Sequence, residues 1–152
     1  MLKPLLIAGT LLTTLLAAGA WADDASLTGV WKNIDDHTGK SKALIRIVEV
    51  NGEFQGKVEK LFLTTEEDHN PKCVKCEDSR KDQPIIGMNI LSGLKQDKQE
   101  AGEYSGGQIL DAGNGKLYKC KMTLLEGGKK LNVRGYIGVP MFGRSQIWVR
   151  EE

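Results

Sequence analysis

Ala43-Leu44-Ile45-Arg46-Ile47-Val48-Glu49-Val50 runs straight into Asn51-Gly52, and Glu53-Phe54-Gln55-Gly56-Lys57-Val58-Glu59-Lys60-Leu61 follows. The first run is rich in Ile and Val, the β-branched residues that favour strands. Asn-Gly supplies the positive φ angles of a type I′ turn, so 43–61 is predicted to be a β-hairpin. In its second strand Phe54 and Val58 share one face, and Gln55, Lys57 and Glu59 share the other. That alternation describes a sheet with one buried face and one wet face.

Working outward, the same pattern recurs. Strands are predicted at 27–33, 85–91, 104–111, 117–125, 130–137 and 144–150, bounded by Gly, Asn and Asp. Residues 117–125 place Tyr118, Cys120, Met122 and Leu124 on one face and Lys119, Lys121 and Thr123 on the other. Residues 130–137 place Leu131, Val133 and Ile137 together, which turns Arg134 and Tyr136 the other way. In the last strand Ile147 and Val149 compete with Trp148 for the interior, and the alternation does not decide between them. No long amphipathic helix is present. About eight strands joined mostly by tight turns predict an all-β fold, a single antiparallel up-and-down barrel, because closure removes exposed edges. A two-sheet β-sandwich is the competing architecture.

Residues 1–22 read as a secretory signal peptide. Lys3 precedes an apolar stretch, and Ala20-Trp21-Ala22 fits the small-x-small cleavage pattern. The expected domain is then 23–152, in the periplasm or secreted, with no membrane span after cleavage. It carries 20 basic and 20 acidic residues. That balance argues against nucleic acid as a partner, since phosphate binding needs an excess of cations. The charge is uneven along the chain: 116–150 holds 8 basic residues and 1 acidic.

Residues 64–84 are the exception to tight turns. This long charged loop carries Cys73-Val74-Lys75-Cys76. In an oxidising compartment the pair is expected to form a local disulfide. Thiol redox and metal binding with His69 compete with that reading. A single Cys-x-x-Cys is weak evidence for metal, and Glu77 stands where covalent haem attachment requires His. Cys120 falls on an apolar face and reads as a buried thiol, although pairing with Cys73 or Cys76 stays open.

Catalysis finds little to stand on. The two histidines, His37 and His69, lie in predicted loops. Asp35-Asp36-His37-Thr38-Gly39-Lys40 looks like a turn. No hydrolase, zinc-protease, phosphate-loop or dinucleotide motif occurs. No catalytic residue, metal or cofactor is assigned. Trp31 in the first strand and Arg150 in the last become neighbours if the barrel closes, and Arg150 then lies across the Trp31 ring.

Gly29-Val30-Trp31 with an Arg in the final strand resembles the lipocalin-type calycin motif. A longer series is more specific: Gly29-Val30-Trp31-Lys32, Cys73-x-x-Cys76, Pro84-Ile85-Ile86-Gly87, Gly106-Gly107-Gln108-Ile109-Leu110-Asp111, Asn114-Gly115-Lys116-x-Tyr118, Val133-Arg134-Gly135-Tyr136 and Gly143-Arg144-x-Gln146-x-Trp148-x-Arg150. Together these resemble the bacterial family known as domain of unknown function 2147. Ala112 stands where that family usually has Pro. The resemblance implies a small exported lipocalin-like barrel and no established activity.

The expected role is binding of a small hydrophobic or amphipathic ligand inside the barrel, with Phe54, Tyr118, Met122, Tyr136 and Trp148 as contacts. Gly29, Trp31 and Arg150 are expected to close the barrel. If Arg144 and Gln146 point inward they suit an anionic head group. An envelope protein-interaction module with a filled barrel is the alternative. A redox or metal protein built on the cysteine loop is the third.

Overall fold

The computed structural model describes residues 25–152, so the expected signal peptide lies outside the described residues. Eight strands follow in chain order: β1 Gly29–Ile34, β2 Ser41–Val50, β3 Glu53–Leu61, β4 Asn89–Gln96, β5 Glu103–Asp111, β6 Lys116–Leu125, β7 Lys130–Tyr136 and β8 Arg144–Arg150. Each pairs antiparallel with the next, and β8 returns to β1, giving a closed barrel. The sandwich alternative is therefore excluded. Single turns of 3-10 helix, Glu126–Gly128 and Pro140–Phe142, sit in the last two connections.

The predicted hairpin forms β2 and β3. Asn51 and Gly52 both adopt positive φ, 53° and 79°, as a type I′ turn requires. Phe54 and Val58 are buried, and Lys57 and Glu59 are exposed. In β6, Cys120 and Met122 are fully buried, as the alternation predicts.

Two predicted strands shift. The fourth was expected at 85–91, yet β4 begins at Asn89 and runs on to Gln96. Pro84 bridges to Lys72, Met88 N–H donates to Ile85 O, and Gly87 has φ 86°, so 84–87 is a turn closing the cysteine loop. Apolar Ile85 and Ile86 imitate a strand without its backbone. In β7 the strand ends at Tyr136, and Ile137 stands in the following loop, 66% exposed instead of inward.

The two ends of the barrel differ. One end holds the β2–β3, β4–β5 and β6–β7 turns together with both ends of the described chain, and it is filled. Leu27, Trp31, Tyr104, Met122, Leu131 and Trp148 are essentially inaccessible there and in the middle layer. The Phe54 and Tyr104 rings meet edge to face, 5.0 Å between centroids. The other end, the mouth, is ringed by the loops 35–40, 62–88, 112–115 and 137–143.

Candidate functional site: the barrel mouth

Closure of the floor rests on Trp31 and Arg150, which are direct partners across the β1–β8 seam. The Arg150 guanidinium lies 4.2 Å from the Trp31 ring centroid. Its Nε donates to Gly128 O at 2.6 Å, Nη1 to Thr28 O at 2.8 Å and Nη2 to Ser26 O at 2.5 Å. Trp31 Nε1 donates to Leu27 O at 2.8 Å. One planar cation thus ties the first segment, the seam and the β6–β7 turn together, a task suited to the fork of arginine donors. Gly29 has φ 134°, and any Cβ there would lie 2.6 Å from Arg150 Nη1. A larger residue would push the guanidinium off the indole.

Above this floor the inner wall becomes polar on one side. β1 and β8 pair Trp31 with Arg150 and Asn33 with Trp148, so Asn33 shares the inner face. Trp148 is 2% exposed and Ile147 is 43% exposed. That settles the last strand: Trp148, Gln146 and Arg144 form its inner alternation. Asn33 Nδ2 donates to Gln146 Oε1 at 3.2 Å, and Trp148 Nε1 reaches the same oxygen at 3.5 Å. Arg144 Nη2 donates to Asp36 Oδ2 at 2.5 Å and meets His37 Nε2 at 3.1 Å. That contact holds the Asp36 carboxyl below its ordinary range. On the neighbouring strands stand Gly135, directly paired with Arg144 and with Cys120, and Tyr118, whose Oη accepts from Asn114 Nδ2 at 3.0 Å. Asn33, Gln146, Tyr118 and Gly135 are all partly solvent-accessible, unlike the layer beneath them.

The expected contacts therefore separate. Tyr118 lies at the mouth. Met122 and Trp148 lie deeper, as the buried layer under it. Phe54 packs against Tyr104 near the floor. Tyr136 pairs with Lys119 on the outer face, so it does not line the interior. The same alternation that sends Arg134 outward carries Tyr136 with it. Asn33 escaped sequence reading, although its spacing of two from Trp31 places it on the same face.

Cys73 and Cys76 are joined in a disulfide, and both are buried. So short a closed loop contributes about 2 kcal/mol through the entropy of the unfolded chain. Ile90 and Leu110 are buried with these sulfurs in one packed cluster. Gly115 turns its Cα toward the Lys75 carbonyl, where a Cβ would collide with it. The cysteine loop is thus clamped against the β5–β6 turn. Cys120 remains a free thiol, and burial pushes its pKa up to about 12, which keeps it protonated. Among the described residues no group of three His, Cys, Asp or Glu is placed to hold a metal ion.

Two open clefts flank the cysteine loop. One, of about 410 Å³, lies between Glu77, Asp78, Lys116, Leu117 and Ile137. The other, of about 350 Å³, lies between Arg80, Gln83, Ile86, Met88 and Asn89. Between them Arg80 chelates Asp78 through Nε at 3.1 Å and Nη2 at 2.6 Å, and donates to Asn89 O at 2.9 Å. The side-chain bonds from Arg80, aided by its backbone N–H, lower the Asp78 pKa from 3.8 to about 2. A depressed carboxyl stabilises the fold above its unfolded value. The contribution is present above pH 3.8 and is lost as pH falls through about 2. Carbon-detected NMR titration is expected to place the Asp78 midpoint near 2, and Arg80→Gln is expected to return it toward 3.8. A midpoint unmoved by the substitution would disprove the clamp.

A family model described as "Uncharacterized protein conserved in bacteria (DUF2147)" matches residues 29–150. The chain belongs to this family. Every strand and both closing residues of the family fold lie inside the matched range. The search of curated proteins finds no match. Among solved structures the barrel is similar to protein HP1028 from Helicobacter pylori, described as belonging to the lipocalin family. The TM-score is 0.70 at 19% identity, over 84% of each chain. At that identity the likeness is one of fold. The barrel of this family member is lipocalin-like. Among the described residues no helix is long and apolar enough to cross a membrane.

Proposed function

We propose that this family member is an exported carrier that binds a small amphipathic ligand in the mouth of its barrel, polar end uppermost. The supporting observation is the inner alternation of β8. Gln146 stands above buried Trp148, and Arg144 follows it at the rim with its side chain 62% exposed, so an amide and a cation lie on the mouth side of an apolar layer. Binding sites of this kind are concave, mostly apolar, and oriented by a few polar groups. Arg144 suits a carboxylate or other anion, which would compete with Asp36 for the guanidinium. Tyr118, two strands away on β6, would form the adjoining wall. Nothing in this arrangement pairs a nucleophile with a base, so the reading is binding and not catalysis. The cysteines do not favour a redox role, because the pair is buried and the remaining thiol has a raised pKa.

The test is a fluorescence titration with 11-(dansylamino)undecanoic acid, a fatty carboxylate probe. Saturable binding is expected, weakened about tenfold by Arg144→Gln, the equivalent of one charged hydrogen bond. Lys57→Gln, on the outer face of β3, is expected to bind as the parent does. Absence of saturable binding, or equal affinity in both variants, would overturn the proposal.

A further inference from the structure

The loop 137–143 at the rim carries the most exposed cluster of large apolar side chains among the described residues. Ile137 is 66% exposed, Val139 51%, and Met141 and Phe142 80% each. Such residues ordinarily retreat from water or mark a contact surface. These are held outward. Phe142 N–H donates to Val139 O at 3.2 Å and Gly143 N–H to Pro140 O at 3.1 Å, closing a 3-10 turn. Arg134, on the outer face of β7, then reaches up to the same turn. Its Nε donates to Pro140 O at 2.7 Å, Nη2 to Met141 O at 3.3 Å, and Nη1 to Ser145 Oγ at 2.9 Å.

This arrangement has a physical consequence. A loop entering a non-aqueous layer must carry its backbone polar groups already satisfied, since each bare carbonyl costs several kcal/mol there. Arg134 satisfies the carbonyls of Pro140 and Met141 from below, and the 3-10 turn satisfies that of Val139, beneath the exposed Met141 and Phe142 side chains. The flanking charge is cationic. Of the basic residues in 116–150, Lys116, Lys119, Arg134 and Arg144 lie toward the mouth, whereas Lys129, Lys130 and Arg150 lie at the closed end. Lys119 is on the outer face beside Tyr136, and Arg134 bonds only neutral oxygens. Of the carboxylates at this end, Asp36 is bonded to Arg144, Asp78 is held by Arg80, and Glu77 lines the cleft with Lys116 and Ile137.

We infer that the 137–143 loop docks the barrel mouth onto an anionic lipid surface, with Met141 and Phe142 entering the acyl region and Lys119 and Arg134 meeting the headgroups. Four side chains on one loop fall well short of the roughly 800 Å² per partner of a stable protein interface, which disfavours a second copy. Insertion of a few apolar residues beside cations is enough for reversible membrane attachment. Docking through this loop is independent of what the barrel carries.

The test is co-sedimentation with vesicles of phosphatidylglycerol and phosphatidylcholine, using forms with identical N-termini so that the apolar residues 5–18 contribute equally. Parent protein is expected to bind, and Met141→Ser/Phe142→Ser to bind about tenfold or more weakly. Lys119→Glu should weaken binding and reduce its salt dependence. Phe142→Trp should report insertion as a blue-shifted emission. Both loop variants lie outside the packed core, and unchanged thermal melting would verify their folding. Equal binding by parent and double variant, or none by either, would overturn the inference. So would self-association, or cross-linking to a protein through residue 141, that the double variant abolishes while vesicles bind neither form.

Discussion

Arg150→Ala is expected to destabilise the barrel by about 3–4 kcal/mol, lowering the melting temperature by roughly 10–15 °C. The loss has two sources. The carbonyls of Ser26, Thr28 and Gly128 are left without their donors. The cation over the Trp31 ring disappears as well, and that contact alone is worth about 0.5–2 kcal/mol. Arg150→Lys should recover only part of the loss, because a single ammonium keeps the charge and cannot reproduce the three-way fork. Urea denaturation of the three proteins measures the difference directly. A cost below about 1 kcal/mol for the alanine variant would mean that the floor is held by packing alone.

Trp148→Ala should cost about 3–5 kcal/mol, the usual range for truncating a buried indole. Ile147→Ala, one residue away on the outer face, should cost less than about 1 kcal/mol. The contrast tests the facing of β8, on which the mouth depends. With Trp148 removed, Gln146 loses the indole N–H and the apolar floor under Arg144 opens. The probe titration should then fall together with stability. A larger cost at Ile147 than at Trp148 would reverse the inner and outer faces and take Gln146 out of the interior.

Legibility differed between the wall and the site for a physical reason. Strand alternation is a local signal, and where apolar and polar residues alternate cleanly, as in β3 and β6, the sequence shows which face is buried. The Asn51-Gly52 turn adds register to that signal. In β8 both alternations are apolar enough to be buried, and only closure against β1 decides between them: Asn33 opposite Trp148 and Trp31 opposite Arg150. The Gly-x-Trp and Arg pair was readable because its partners sit at the two ends of the chain, where closure must bring them together. Asn33–Gln146 and Arg144–Asp36 were not, because each joins residues more than a hundred positions apart. The start of β4 was misplaced because Pro84 to Gly87 is apolar and yet turned, and hydrophobicity records burial without recording backbone direction. Tyr136 was expected inside although its own strand, with Val133 inward, already placed it outside.

We propose that the solvent-accessible inner wall of the mouth, over the Trp148 floor, holds a small amphipathic molecule. NMR of isotopically labelled protein with 11-(dansylamino)undecanoic acid tests it most directly. Saturable shifts and intermolecular contacts are predicted at the Tyr118 ring, the Asn33 and Gln146 side-chain amides and Arg144 Nε, with the floor around Trp31 and Arg150 unchanged. Contacts confined to Met141, Phe142 or the clefts beside the cysteine loop, or no saturable shift at any residue, would contradict it.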